Sequence, residues 1–194
     1  MSPRPSFNFK KIFIIFIVVI VAAGASFYIY KNVNFKRARP NNPQIQGLMD
    51  KAMSDWKSGK IKEAEATFSK VVTIDPQNAQ AYFSLAYLNE TAGQPKKALE
   101  YYEKTILLDP KNSEVHYNLG NIYAHLQLNE KAVFSYQQAV KFNPKHVNAW
   151  VNLSILSFYG KDFVHAVEYC DRAVALGYKA PAEYLEALKQ YRKK

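Results

Sequence analysis

The sequence predicts an all-α protein in which one membrane-spanning helix precedes a solenoid of four helix pairs and a capping helix. Two observations predict this arrangement. No charged side chain occurs between Ile12 and Tyr30, and beyond this stretch a pattern of proline, alanine and aromatic residues recurs at regular spacing. The chain of 194 residues is long enough for both parts.

The positive charge of the chain is concentrated at its start, in residues 1–40. This part contains seven basic residues and no acidic one, whereas the other 19 basic side chains and all 16 acidic ones lie in residues 41–194. The formal net charge of +10 therefore falls to +3 in the repeat region. Because that region is not strongly basic, we expect no nucleic-acid binding. Cys170 is the sole cysteine, so no disulfide can form within the chain.

The segment from Ile12 to Tyr30 predicts a transmembrane helix after a basic tail at 1–11. As a helix it would be about 28 Å long, close to the roughly 30 Å of bilayer hydrocarbon. Lysines bracket both ends, where their side chains can reach the headgroups. The basic linker at 31–42 follows and could lie against anionic lipid.

A cleaved signal peptide is the alternative for this N-terminal segment. A basic start, an apolar run and "AGA" at 23–25 fit it, but the apolar run continues beyond that site, so we expect an uncleaved signal anchor. The basic residues flanking the segment do not decide its orientation. A short N-terminus before a long domain favours the bacterial inner membrane with the repeats in the periplasm.

A repeat with a 34-residue period follows the linker. Prolines mark the end of three units, and an alanine lies twelve positions before each of them. A fourth alanine follows at the same spacing of 34 residues. A large or apolar residue lies four positions after each alanine. These series are Pro76, Pro110 and Pro144; Ala64, Ala98, Ala132 and Ala166; and Phe68, Tyr102, Tyr136 and Cys170. Each unit predicts two amphipathic helices and a turn, and such pairs must stack to bury their apolar faces.

These motifs resemble the tetratricopeptide repeat, most closely in "HYNLGNIY" of the third unit. The resemblance implies a right-handed α-solenoid in a domain at 43–194. Its repeats are expected at about 45–78, 79–112, 113–146 and 147–180, with a capping helix at 181–192. The first and last units depart from the pattern, which is typical of terminal repeats. Gly120 is interpreted as the small residue at which the two helices of its unit press together.

The resemblance also implies a concave groove lined by the first helix of each pair. The positions expected there carry aromatic, apolar, thioether and amide side chains. They are Met49, Met53, Phe83, Tyr87, Tyr117, Asn118, Asn121, Val151, Asn152 and Ile155. Some family members clamp a C-terminal carboxylate with paired lysine, asparagine and arginine, but the cations are missing here, so we do not expect that ligand.

Asn118 and Asn152 resemble the asparagine ladder by which some members of the family grip extended peptides. The alternative is that their amides are simply solvated. On either interpretation, replacing both with alanine is expected to leave stability unchanged or higher, because asparagine is a poor helix former.

The sequence offers no catalytic, cofactor-binding or metal-binding constellation. The four histidines are scattered, and Cys170 takes the place of a core aromatic residue. We therefore expect a non-enzymatic, membrane-anchored protein–protein interaction module that acts as a scaffold, adaptor or assembly factor and binds a segment of a partner protein. The alternatives are a secreted soluble adaptor, if the signal is cleaved, and a non-catalytic subunit of an envelope enzyme or assembly complex.

Overall fold

The computed structural model describes residues 42–192, and this part of the chain is helical without any strand. Its nine helices are α1 (Pro43–Lys57), α2 (Ile61–Ile74), α3 (Ala79–Thr91), α4 (Pro95–Leu108), α5 (Ser113–His125), α6 (Asn129–Phe142), α7 (Val147–Tyr159), α8 (Phe163–Ala175) and α9 (Ala182–Lys189). The predicted all-α solenoid is thereby confirmed.

The predicted membrane segment lies outside the described residues. This holds for Ile12 to Tyr30, for the tail at 1–11 and for nearly all of the linker at 31–42. Among residues 42–192, no helix combines the length and the apolar character that a membrane crossing requires.

The turn inside each helix pair contains one residue in the left-handed backbone region. These residues are Gly59, Gly93, Gln127 and Lys161, with φ of 75°, 71°, 59° and 63°. Their spacing equals the period of the sequence repeat, so every pair reverses direction at the same point of its unit. Glycine adopts this conformation without steric cost, whereas glutamine and lysine do so at a cost in the third and fourth pairs.

The first helix of each later pair begins at a side-chain cap. Asn78 and Asn112 accept hydrogen bonds from the backbone N–H of Ala81 and Val115, at 3.0 and 3.2 Å. His146 replaces asparagine in the last repeat, and its Nδ1 accepts the N–H of Ala149 at 3.4 Å. Such caps satisfy a backbone donor that the helix leaves free, which fixes where each first helix begins.

The repeated alanines and the side chains four positions after them form the core. Ala64, Ala98, Ala132 and Ala166 have no exposed surface, and Phe68, Tyr102, Tyr136 and Cys170 are at most 2% exposed. The small residues expected on the first helices, Ala52, Ala86, Gly120 and Ser154, are equally buried. Small residues on both helices let the backbones approach, and each buried ring contributes about 1.5–3 kcal/mol.

Helix α9 covers the last helix pair. Leu188 is fully buried against Ala166 and Cys170, and the hydroxyls of Tyr184 and Ser154 lie 2.7 Å apart. Beyond the helix, the ring of Tyr191 stacks on Phe163 at 3.9 Å between centroids. Pro181 precedes α9 rather than joining its first turn, because its ψ of 139° is extended.

Candidate functional site

The ten residues expected to line the groove lie on the first helices α1, α3, α5 and α7, and we call them the groove surface. Two are exposed: Tyr87 at 39% and Ile155 at 36%. Seven are partly buried: Met49, Met53, Phe83, Tyr117, Asn121, Val151 and Asn152. Asn118 is buried, with 6% of its surface exposed. That these residues contact a partner stays a prediction.

Asn118 is largely withdrawn from the surface and its amide nitrogen is already bonded, contrary to the expectation from the sequence. Its Nδ2 donates to the hydroxyl of Tyr102 at 3.0 Å, and that hydroxyl donates to Oε2 of Glu90 at 2.6 Å. This relay joins α3, α4 and α5. The bond to the preceding helix pair explains why a poor helix former occupies this position, since tertiary contacts stabilise the helix there.

Asn121 and Asn152 form a second relay around the hydroxyl of Tyr136. Oδ1 of Asn121 accepts from the Tyr136 hydroxyl at 2.8 Å and from Nδ2 of Asn152 at 3.2 Å. Nδ2 of Asn121 and Oδ1 of Asn152 take no part in these bonds. The amides are thus neither a free ladder nor simply solvated, because each joins its helix to another part of the solenoid.

Each relay contains a buried tyrosine hydroxyl whose pKa is raised. Burial raises the pKa of Tyr102, and the neighbouring Glu90 carboxylate raises it further. Burial raises the pKa of Tyr136 to about 12. Both hydroxyls therefore stay protonated at neutral pH, so they act as fixed hydrogen-bond donors beneath the groove surface.

Trp56 belongs beside the groove surface, although the sequence interpretation missed it. Its ring lies 5.3 Å from that of Tyr87, at an interplanar angle of 54°. Trp56, Glu90 and Phe158 follow groove-surface residues by three positions, which places them one helical turn further along the same face. Extending the predicted groove by one helical turn in each repeat would have identified Trp56, Glu90 and Phe158 from the sequence.

An apolar pocket of about 240 Å³ lies at the C-terminal end of the groove surface. It is lined by Val151, Ser154, Ile155, Phe158, Tyr159, Cys170, Ala173, Tyr178, Pro181 and Tyr184. Tyr159 at its edge is 80% exposed. Burial raises the pKa of the Cys170 thiol, which disfavours the reactive thiolate form.

A second apolar cleft lies on another part of the solenoid, between α4, α5 and α6. It is lined by Glu103, Ile106, Leu107, His116, Leu119, Tyr123, Glu130, Lys131, Phe134 and Ser135. Leu107 is 69% exposed and Phe134 is 61% exposed. We call it the second-helix cleft, because both exposed residues lie on second helices. It is the natural control surface for tests of the groove.

Three histidines of the described chain have structural partners. A ring nitrogen of His116 lies 3.0 Å from the carbonyl oxygen of Pro110, and His146 caps α7. Nδ1 of His165 lies 2.7 Å from Asp162, and this hydrogen bond lowers the pKa of the Asp162 carboxyl. Within residues 42–192, no three His, Cys, Asp or Glu side chains are grouped so that they could hold a metal ion.

Two family models match the sequence. The middle TPR-like domain of cilia and flagella-associated protein 70 matches residues 82–187, and a tetratricopeptide repeat model matches residues 49–106. No curated protein matches the chain in sequence.

Three of the solved structures that share this fold are MamA, PilF and YrrB. MamA from Desulfovibrio magneticus RS-1 is 22% identical, with a TM-score of 0.61 over 68% of this chain and 75% of that one. PilF from Pseudomonas aeruginosa is 24% identical, with a TM-score of 0.63 over 76% and 70%. YrrB, described as a TPR protein with an unusual peptide-binding site, is 22% identical, with a TM-score of 0.59 over 71% of each chain. At these identities the likeness shows the fold.

Proposed function

Because this chain belongs to the tetratricopeptide repeat family, we propose that it is a protein–protein interaction module whose groove surface binds a segment of a partner protein. One observation carries the proposal: aromatic and apolar side chains remain accessible along the first helices while the polar groups beneath them are bonded to one another. The peptide-binding site described for YrrB supports this class of function.

The relays give the groove surface a rigid base. Tyr102 and Tyr136 are held by hydrogen bonds that join several helices, so the side chains above them need little ordering when a ligand binds. Tyr87 and Trp56 supply large contact areas at small entropic cost, and such residues often dominate binding energy. The apolar pocket beside Ile155 could then hold one bulky apolar side chain of the partner.

The module acts as a membrane-anchored scaffold, adaptor or assembly factor in this proposal. The uncharged stretch from Ile12 to Tyr30, bracketed by lysines, supports an uncleaved anchor. As part of the same proposal, we place the repeats on the periplasmic side of a bacterial inner membrane. Carbonate washing of membranes is the test. Full-length chain should stay in the pellet, and its release into the supernatant would refute the anchor. Protease added to spheroplasts tests the orientation. Repeats in the periplasm should be cleaved, whereas repeats that stay protected until the membrane is broken would refute this placement.

Secretion after signal cleavage is the second candidate for localisation, and "AGA" at 23–25 is the observation that favours it. The intact mass of the mature protein separates the two, because cleavage at this site would remove the basic tail and most of the apolar segment. In either case we propose a binding role without catalysis, in which any enzymatic activity belongs to the partner.

The binding proposal is tested by co-purification of the full-length chain from detergent, with identification of the partner by mass spectrometry. The double variant Tyr87→Ala with Ile155→Ala removes two accessible side chains from the groove surface. The matched control, Leu107→Ala with Phe134→Ala, removes two from the second-helix cleft. The partner should be lost from the first variant and kept by the second, and the reverse pattern would refute the proposal.

A further inference from the structure

We propose that the partner segment carries a lysine or arginine whose cationic head pairs with Glu90 and whose stem lies against the rings of Trp56 and Tyr87. This inference rests on the proposed function, because it assigns a ligand chemistry to the same groove surface. The cation site would lie in a groove whose other lining side chains are aromatic, apolar or amide.

The geometry brings one carboxylate beside two aromatic rings. Tyr87 and Glu90 are three positions apart on α3, so their Cβ atoms are neighbours at about 5–6 Å on one helix face. The ring of Trp56, at the end of α1, lies 5.3 Å from that of Tyr87. The Tyr102 hydroxyl holds Oε2 of Glu90 at 2.6 Å, which fixes the carboxylate in place.

Glu90 forms no ion pair with a basic side chain of residues 42–192. The ion pairs of residues 42–192 join other residues, so no Lys, Arg or His nitrogen of this range lies within 4.0 Å of its carboxylate. The ten residues of the groove surface include no basic side chain. Because Glu90 is partly buried, an arriving cation gains more from it than from a fully solvated carboxylate.

The two rings favour the same class of ligand. Tryptophan and tyrosine faces attract ammonium and guanidinium groups, and the alkyl stem of a lysine or arginine packs well on aromatic surface. Counted over all four first helices, four acidic side chains stand against two lysines, which gives a net charge of −2 with histidine neutral. An acidic segment would therefore be repelled, whereas a segment with a cation beside apolar residues would be attracted.

The test uses the full-length chain in detergent and a phage-displayed library of random dodecapeptides. Selection should enrich peptides that contain lysine or arginine next to apolar residues. The affinity of the strongest peptide is then measured by fluorescence anisotropy. Replacing its basic residue with norleucine, which keeps the alkyl stem, should weaken binding about tenfold or more, because a charge-assisted contact is lost.

The protein side is tested with Glu90→Gln, whose amide oxygen can still accept from Tyr102, and with Glu103→Gln as a matched control on α4. Glu90→Gln should weaken binding of the selected peptide by a similar factor and leave the affinity of its norleucine variant unchanged. Glu103→Gln should alter neither affinity. The norleucine comparison on the wild-type chain keeps the test valid even if a variant folds poorly.

The outcomes separate this inference from the proposed function. Peptides that bind through the groove surface, as judged by their loss in Tyr87→Ala with Ile155→Ala, but without any dependence on a basic residue or on Glu90, would overturn the cation site alone. A library from which no peptide binds through the groove surface would overturn the proposed function, and this inference with it.

Discussion

Gly120 in α5 lies directly against the ring of Tyr136 in α6. A Cβ atom on Gly120 would come within 2.5 Å of Cε1 and 2.6 Å of Cδ1, closer than packed atoms can approach. The Tyr136 ring is 2% exposed, and its hydroxyl is bonded to Asn121, so it cannot swing aside. The structure thus confirms the interpretation of Gly120 as the point where the two helices of its pair press together.

Gly120→Ala should therefore destabilise the protein. Alanine would gain about 1 kcal/mol of helix propensity, but forcing a methyl group into a packed core typically costs about 1–3 kcal/mol. We expect a net loss of about 1 kcal/mol in thermal unfolding followed by circular dichroism. Gly47→Ala is the matched control, since nothing lies within 4 Å of that position in α1, and it should stabilise by about 0.5–1 kcal/mol. A Gly120→Ala protein as stable as wild type would contradict the contact.

His146 should be replaceable by asparagine but not by alanine. Its Nδ1 caps α7, while Nε2 is buried without a hydrogen bond, although it lies 3.4 Å from Glu114. Asparagine caps the equivalent helices at 78 and 112, so His146→Asn should keep or raise the melting temperature. His146→Ala should cost about 1 kcal/mol through loss of the cap. Equal losses in both variants would show that the ring's packing matters more than the cap.

Asn118→Ala should lower stability, which reverses the expectation drawn from helix propensity. Propensity favours alanine by less than about 1 kcal/mol, but the change leaves a cavity and removes a donor from the Tyr102 hydroxyl. We expect a net loss of about 1–2 kcal/mol. Asn152→Ala should cost less, because Asn121 still accepts from Tyr136. Urea unfolding of both single variants distinguishes the cases, and an Asn118→Ala protein that is more stable than wild type would refute the relay.

Alkaline pH should destabilise the fold partly through Tyr136. Burial raises its pKa to about 12 in the folded state, whereas a tyrosine in an unfolded chain titrates near about 10. Between these values the unfolded state releases the proton first, so the stabilising contribution is complete below about pH 10 and is lost as pH rises toward about 12. Tyr136→Phe should show a shallower fall in melting temperature across this range. Tyr159→Phe, at an 80% exposed site, should follow the wild type, and identical slopes in all three proteins would refute the prediction.

The helix pairs could be predicted from the sequence because packing makes the same demands in every unit of the repeat. Ala98 and Tyr102 recur as Ala132 and Tyr136 since each pair must present the same small and large residues to its neighbours. The turns at Gln127 and Lys161 were not predicted, although they lie in the same register as Gly59 and Gly93. Neither glutamine nor lysine favours a left-handed backbone. The residue types therefore gave no sign of these turns, although the 34-residue period places them at the positions of Gly59 and Gly93.

The bonding of the amide side chains could not be predicted in the same way. The spacing of residues predicts which face of a helix a side chain lies on. The hydrogen-bond partner of a side-chain amide depends instead on the neighbouring helix pair. Asn118 meets Tyr102 because the hydroxyl extends across the gap between repeats, and no periodic pattern encodes that distance. Trp56 was missed because the groove was expected to end one helical turn too early.

Site-specific photo-cross-linking tests the central claim, that the groove surface is where the partner binds. Benzoylphenylalanine would replace Tyr87 or Ile155 on the groove surface, and Leu107 or Phe134 on the second-helix cleft, in the full-length chain expressed in its own cells. All four side chains are accessible, so each can carry the probe. We expect one protein cross-linked at Tyr87 and Ile155 and absent at the other two sites. A partner cross-linked at Leu107 and Phe134 but not at the groove positions would contradict the account.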